Sequence, residues 1–303
     1  MARELRIGHR LISDDAPCYV VAELGGNHGG DITVALDMIA MAARCGADAI
    51  KLQKRSNATL YTTALLAAPY ENENSFGPTY GAHREAIELS QAAMQICFSE
   101  THWLGIEGFA TAFDEQSADV LLQTWAPAYK IHSGGLTDEP LICHVAKYGR
   151  PVLLSTGGGT MEDIDRAVSW LGDCPHAILH CTASYPLRSE DANLRCILTL
   201  RNRYPETVIG FSSHSPGIAF SLIAYAFGAR IIEHHVTLSR ANKGTDHAFS
   251  LEPKGLQTLV EDLGKLRLAL GDGVKRFLPC EMKPVAKMRR HATPEGWKID
   301  GIL

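Results

Sequence analysis

Several polar residues close otherwise apolar runs. Glu23 ends Tyr19-Val20-Val21-Ala22, Lys51 and Gln53 sit in Ala49-Ile50-Lys51-Leu52-Gln53, and Thr111 ends Gly108-Phe109-Ala110. Lys130 and Ser133 close the run from Ala128. Ser155 and Thr156 follow Val152-Leu153-Leu154, His180 lies in Ala177–Thr182, and Ser212, His214 and His235 fall late in two further runs. A buried ammonium without a partner is expensive, so two lysines in such places argue for a shared anionic ligand. Together with the hydroxyls they could hold a phosphate and a carboxylate. His214 and His235 offer two imidazoles to a divalent metal, with positions left for substrate and water. Glu23 could complete that site or hold a water. His234 would point away from His235, because strand neighbours face opposite sides.

These residues act together only if the chain brings the run ends to one place. The runs alternate with helical patterns: expected strands at 19–23, 49–53, 108–111, 128–133, 151–156, 177–182, 208–212 and 230–237. Helices are expected over 32–45, 83–102, 115–124, 141–148, 161–171, 193–203, 218–227 and 253–270, with a polar insertion over 54–80. Strict alternation implies parallel strands, and continuous apolar runs suit strands buried on both faces. Eight units predict an α/β fold, a single (β/α)8 TIM barrel whose strand ends meet at one mouth; an open doubly wound sheet is the competing arrangement. Gly157-Gly158-Gly159 reads either as a phosphate cradle or as a tight strand-to-helix turn.

The composition is that of a soluble globular chain, 46% hydrophobic and 21% charged, with a net charge of −5. That charge predicts no nucleic-acid partner. No apolar stretch is long enough for a membrane span and the first residues lack a secretory apolar core, so a cytoplasmic location is expected. The eight cysteines form no CxxC pair and are expected to be reduced. No P-loop motif is present.

The motifs AELGGNHGGD (22–31), GADAIKLQ (46–53), FGPTYGAHREAIELS (76–90), PAYKIHSGGLTDEPLI (127–142), LSTGGGTMEDI (154–164), HCTASYPLRSEDANL (180–194), GFSSHSPG (210–217) and DHAFSLEP (246–253) resemble the sialic acid synthase family. The resemblance implies condensation of phosphoenolpyruvate with an N-acyl amino sugar such as N-acetylmannosamine, to a 3-deoxy-2-keto sugar acid and phosphate. It implies a metal, usually Mn2+ with Mg2+ or Co2+ as alternatives, on His214 and His235. It implies phosphoenolpyruvate on Lys51, Thr111, Lys130, Ser133, Ser155 and Ser212. Glu23 matches the family's glutamate, and Gln53, Tyr185 and Asp246 match positions around the sugar. Water for the second half of the reaction would come from the metal or be ordered by Glu23.

The chain departs from the family pattern in three places. Ser213 replaces a frequent aspartate, an exchange expected to alter how metal or water is held. Ala183 replaces asparagine or serine. Residues 1–16 are expected as an N-terminal segment, 17–275 as the catalytic barrel and 276–303 as a tail where members carry a small antifreeze-like domain. That domain gives the sugar's N-acyl group an arginine across a dimer, and Arg289 or Arg290 of the tail is not expected to replace it. A non-N-acylated aldose is therefore an alternative acceptor, and a non-catalytic ligand-binding barrel is a further one. A homo-oligomer is compatible with all three.

Overall fold

The apolar runs close on one another. In the computed structural model, which describes residues 3–301, a hairpin of β1 (Glu4–Ile7) and β2 (Arg10–Ser13) comes first. It buries Leu5, Ile7 and Ile12. Eight parallel strands follow: β3 (Tyr19–Glu23), β4 (Ala49–Lys54), β5 (Glu107–Ala112), β6 (Tyr129–Ile131), β7 (Val152–Ser155), β8 (His176–Cys181), β9 (Val208–Ser213) and β10 (Ile231–His235). They form a closed barrel in which β10 pairs with β3. This is the expected (β/α)8 architecture. The strands are buried almost throughout, which is why their sequences are apolar runs rather than alternations.

The helices lie outside. They are α1 (Ile32–Arg44), α2 (Asn57–Leu60), α3 (Thr63–Ala67), α4 (Tyr80–Ala86), α5 (Gln91–Trp103), α6 (Glu115–Gln123), α7 (Glu139–Ala146), α8 (Met161–Leu171), α9 (Cys196–Arg203), α10 (Ala219–Ala226) and α11 (Pro253–Leu270). The expectation for α8 is met at both ends: Thr160 and Asp163 form a reciprocal capping box at its start, and Gly172, at φ +56°, ends it. The single helix expected over 83–102 is instead two. Lys54 Nζ takes the Leu89 carbonyl at 3.0 Å and Ser90 caps α5, so the backbone turns there. The helix expected from Asn193 begins at Cys196; Asn193 has φ +37°, outside helical space. The insertion over 54–80 carries α2 and α3.

Two compact units divide after Arg267. The second contains α12 (Met282–Ala286) and a hairpin of β11 (His291–Thr293) with β12 (Gly296–Lys298). Within it, Arg290 donates to the Trp297 carbonyl and Arg289 lies over the Phe277 ring. All eight cysteines are free thiols. No helix among the described residues is long and apolar enough to cross a membrane.

The loop after β3 gives the first prediction. His28 is 4% exposed, and its Nδ1 accepts the Gly30 N–H at 3.0 Å. Burial lowers its pKa to about 4, against smaller opposing effects from the Gly25 carbonyl and Asp31. The unfolded chain, with a histidine pKa of about 6.5, therefore binds more protons between those values. The stabilising contribution is complete above pH 6.5 and is lost as pH falls towards 4. Through this group the fold should lose about 2 kcal/mol between pH 7 and pH 5. His28→Asn keeps an acceptor for Gly30 and cannot titrate. Denaturant melts across that range should show a shallower pH slope for the variant; identical slopes would contradict the assignment.

Candidate active site

Strand register sets the mouth. Glu23 on β3 lies beside Lys51 on β4, Gln53 beside Thr111 on β5, Thr111 beside Lys130 on β6, and His235 on β10 beside Glu23. The two lysines are almost fully buried, at 3% and 2% exposure. Lys51 Nζ is 2.8 Å from Glu23 Oε2, 3.7 Å from Glu233 Oε1, and donates to Thr111 Oγ1 at 2.9 Å. Lys130 Nζ bonds both oxygens of Glu233, at 2.8 and 2.9 Å, and Ser212 Oγ donates to the same carboxylate at 2.9 Å.

Two ammonium groups thus face two carboxylates, the condition under which buried charges persist. Burial opposes the charge on Glu233, but Lys130 and Lys51 outweigh it and hold the carboxyl at about 2. Burial also opposes the charge on Lys51, yet Glu23 and Glu233 together lift it above the usual lysine range. Lys130 is drawn below that range, by burial and by Lys51, with Glu233 opposing. The Glu23 Oε2 contact with Lys51 is an ion pair outside hydrogen-bond geometry, so this buried oxygen keeps a free acceptor position. Its Oε1 accepts from Gln53 Nε2 at 2.7 Å.

The imidazoles lie beside this network. His214 and His235 have ring centroids 5.4 Å apart. His214 Nδ1 is 2.9 Å from the Thr182 carbonyl, which places the ring proton there and leaves Nε2 as a lone-pair donor. Burial, helped by His235, lowers the His214 pKa to about 3, so the ring is neutral. His235 Nδ1 is buried, makes no hydrogen bond and lies 3.6 Å from Asp246 Oδ2. Its neighbour His234 faces the other way, with its ring nitrogens against the His235 and Gly217 carbonyls. A neutral His214 imidazole and the orphaned Nδ1 of His235 fit a metal-binding role. Among the described residues no group of three histidine, cysteine, aspartate or glutamate side chains is gathered for a metal. Other positions would fall to water or substrate.

One cavity of about 430 Å³ is lined by Glu23, Lys51, Gln53, Thr111, Lys130, Ser133, Ser155, Tyr185, Ser212, His214, His235 and Asp246, whereas Thr156 turns its hydroxyl to the Leu179 carbonyl and is not in its wall. Ser155 Oγ is buried with no partner, a hydroxyl open to a ligand. The Tyr185 ring packs 4.1 Å from that of His214. The expected influence of Ser213 is not supported: its side chain is absent from the cavity wall and bonds Ser215 Oγ at 2.8 Å, because it alternates with the inward Ser212. Ala183 does line the cavity. Gly157 offers no free cradle, since its N–H donates to Ser133 Oγ at 3.1 Å. His180 is structural, its Nε2 2.8 Å from the Ala192 carbonyl.

Three charged cavity residues escape the sequence reading: Glu233, Arg55 and Arg84. Glu233 was accessible by spacing, because residues i and i+2 of a strand share a face and His235 faces the mouth. The arginines belong to the insertion and the helix after it, whose paths no periodicity reveals.

Residues 38–275 match the NeuB family. The N-acetylneuraminate-9-phosphate synthase of Mus musculus is 39% identical over 276 residues, 90% of this chain and 77% of that protein. An N,N'-diacetyllegionaminic acid synthase of Legionella pneumophila is 32% identical, covering 91% of this chain and 80% of that one. The crystal structure of an N-acetylneuraminic acid synthetase from Leptospira borgpetersenii, in complex with citrate, superposes with a TM-score of 0.82 at 34% identity, over 94% of this chain and 96% of that chain. A truncated 3-deoxy-D-arabino-heptulosonate 7-phosphate synthase from Thermotoga maritima, 17% identical with a TM-score of 0.65, shares the fold. By the extent of the family match and these identities, the chain belongs to the NeuB family of sialic acid synthases.

Proposed function

We propose that the cavity joins phosphoenolpyruvate to the open-chain form of an N-acyl amino sugar such as N-acetylmannosamine, giving a 3-deoxy-2-keto sugar acid and inorganic phosphate. The observation that carries this reading is the buried Lys51–Lys130 pair beside an unpartnered Ser155 hydroxyl and the paired imidazoles of His214 and His235. The relatives, named as synthases of sugar acids, support it.

Lys51 and Lys130 neutralise the phosphate and carboxylate of phosphoenolpyruvate, which would otherwise repel each other in a small cavity. Thr111, Ser133, Ser155 and Ser212 supply hydroxyl donors around the same anion. Gln53, Tyr185 and Asp246 position the sugar so that its aldehyde carbon meets C3 of phosphoenolpyruvate. A divalent ion held by His214 and His235, manganese by preference and magnesium or cobalt by the same donor chemistry, would act as a Lewis acid towards the aldehyde oxygen when bound. The C2=C3 π pair of phosphoenolpyruvate forms the new bond to the aldehyde carbon, the carbonyl π pair moves to the aldehyde oxygen as an alkoxide, and C2 is left cationic. Water adds to C2 and gives one proton to the free oxygen of Glu23, which returns it to the sugar alkoxide, while the other leaves with the phosphate. The C2–O bond then breaks, and the bridging oxygen leaves with phosphate.

Phosphate release measured with phosphoenolpyruvate, Mn2+ and a panel of aldoses tests the reading. The expected result is turnover with N-acyl hexosamines and a rate at least ten times lower with the non-acylated sugars. Turnover confined to sugars lacking the N-acyl group would contradict the acceptor assignment.

A further inference from the structure

Arg55 has no part in the steps above, although it directly follows β4 and lines the cavity. It is only 9% exposed. Its backbone is pinned on both sides. The Arg55 N–H donates to Glu88 Oε1 at 2.9 Å, and the Ser56 N–H donates to Asp114 Oδ2 at 2.8 Å. The Lys54 carbonyl accepts the Phe113 N–H at 3.2 Å, which carries the β4–β5 register beyond the strands and sets Arg55 beside Phe113. The guanidinium carbon lies 3.5 Å from the centre of the Phe113 ring, and that ring stacks on His132 with centroids 4.1 Å apart. Burial, helped by Arg55, Lys130 and Lys51, lowers the His132 pKa to about 3, so His132 stacks as an uncharged ring.

The guanidinium held in this way reaches back along its own strand. Residues 53 and 55 share a face, and Arg55 Nη2 donates to Gln53 Oε1 at 2.7 Å. Gln53 Nε2 in turn donates to Glu23 Oε1 at 2.7 Å. A guanidinium only donates and a carboxylate only accepts, so one orientation of the Gln53 amide serves both neighbours. Turned over, the amide would set its NH2 group against the guanidinium and its oxygen against the carboxylate. With Glu23 Oε1 engaged, Oε2 is the oxygen left for water. The other side of the guanidinium is held as well: Tyr61 bonds Arg55 and Tyr80, and the Tyr80 hydroxyl accepts from Arg84 Nε at 2.9 Å.

Among the described residues no carboxylate bonds this guanidinium, and its Nε is buried without a partner. A confined cation with an unused donor costs stability, so Arg55 is a poor choice for packing alone. What its flat, always-charged fork does supply is a donor of fixed direction. We infer that Arg55 is a positioning residue for the condensation: it fixes the Gln53 amide so that Glu23 presents Oε2 to the water that adds to C2, acting through Gln53 rather than on a substrate. This deepens the reading proposed above and rests on it.

The test follows the Gln53 side-chain amide by NMR in ligand-free protein labelled with 15N-glutamine, the signal being assigned by its loss in Gln53→Leu. Arg55→Met keeps an unbranched apolar stem against Phe113 and removes the fork. It should speed hydrogen exchange of the Gln53 NH2 group by roughly tenfold or more, as expected for loss of a charge-assisted bond. It should also lower kcat by roughly 10- to 100-fold, the cost of misaligning a proton-transfer group. KM for phosphoenolpyruvate should stay at the wild-type value, because Lys51 and Lys130 are untouched. Arg55→Lys keeps a donor without the flat fork and should fall between the two on both measurements. Wild-type exchange in Arg55→Met would overturn the inference while leaving the condensation reading in place. A fall in kcat with the amide still protected would overturn it too, as would a loss seen only as a raised KM for phosphoenolpyruvate, which would put the arginine on that substrate. If the wild type turned over no acceptor while the Gln53 exchange responded as expected, the condensation reading would fail and the hold of Arg55 on Gln53 would stand.

Discussion

Replacing Glu233 with glutamine should cost the fold about 3–5 kcal/mol and lower kcat/KM for phosphoenolpyruvate by two orders of magnitude or more. The first figure is that of breaking a buried ion pair by removing one partner. Glu233 is 3% exposed and is the only carboxylate within reach of Lys130 among the described residues. It also shares Lys51 with Glu23. In the variant, Lys130 keeps the burial and the Lys51 repulsion that lower its pKa and loses the charge that opposes them. Its pKa should therefore fall. Because the lysine must be charged to hold its anion, the basic limb of the kcat/KM profile should move to lower pH. Urea melts measure the stability change and a pH–rate series measures the limb. A variant with wild-type stability and an unshifted basic limb would show that Glu233 is not the counter-charge of the pair.

His235→Ala should remove Mn2+ binding and reduce metal-supported turnover by roughly 10³-fold. A Lewis acid supplies several kcal/mol of transition-state stabilisation, at about 1.4 kcal/mol per tenfold in rate. His234→Ala is the control. It alters the adjacent residue, which faces the Gly217 carbonyl rather than the cavity, so it should lower stability while metal affinity persists. Mn2+ affinity measured by calorimetry on both variants separates the outcomes. Unchanged affinity in His235→Ala, or equal loss in both, would remove His235 from the metal site.

Much of this was legible from sequence, for physical reasons that differ by residue. The barrel strands stand out because burial on both faces demands unbroken apolar runs, and Lys51 and Lys130 stand out because such runs tolerate few charges. The limits of α8 were readable because local residues set them, Thr160 and Asp163 at the start and Gly172 at the end. The break between α4 and α5 was not, since the ammonium that takes the Leu89 carbonyl comes from β4. Glu233 was hidden in plain view. Its meaning depends on Lys130, 103 residues earlier, and on a closure of the barrel that sets them facing. The Arg55–Tyr61–Tyr80–Arg84 chain was beyond reach, because it depends on how the insertion folds back against α4.

The most direct test of the condensation itself follows one oxygen atom. Phosphoenolpyruvate labelled with 18O at the bridging C2–O position is incubated with the protein, Mn2+, and N-acetylmannosamine or its 6-phosphate, and the products are analysed by mass spectrometry. The account predicts a new 3-deoxy-2-keto sugar acid without label and an equal amount of phosphate carrying it. Label retained in the acid, or phosphate released with no acid formed, would contradict it.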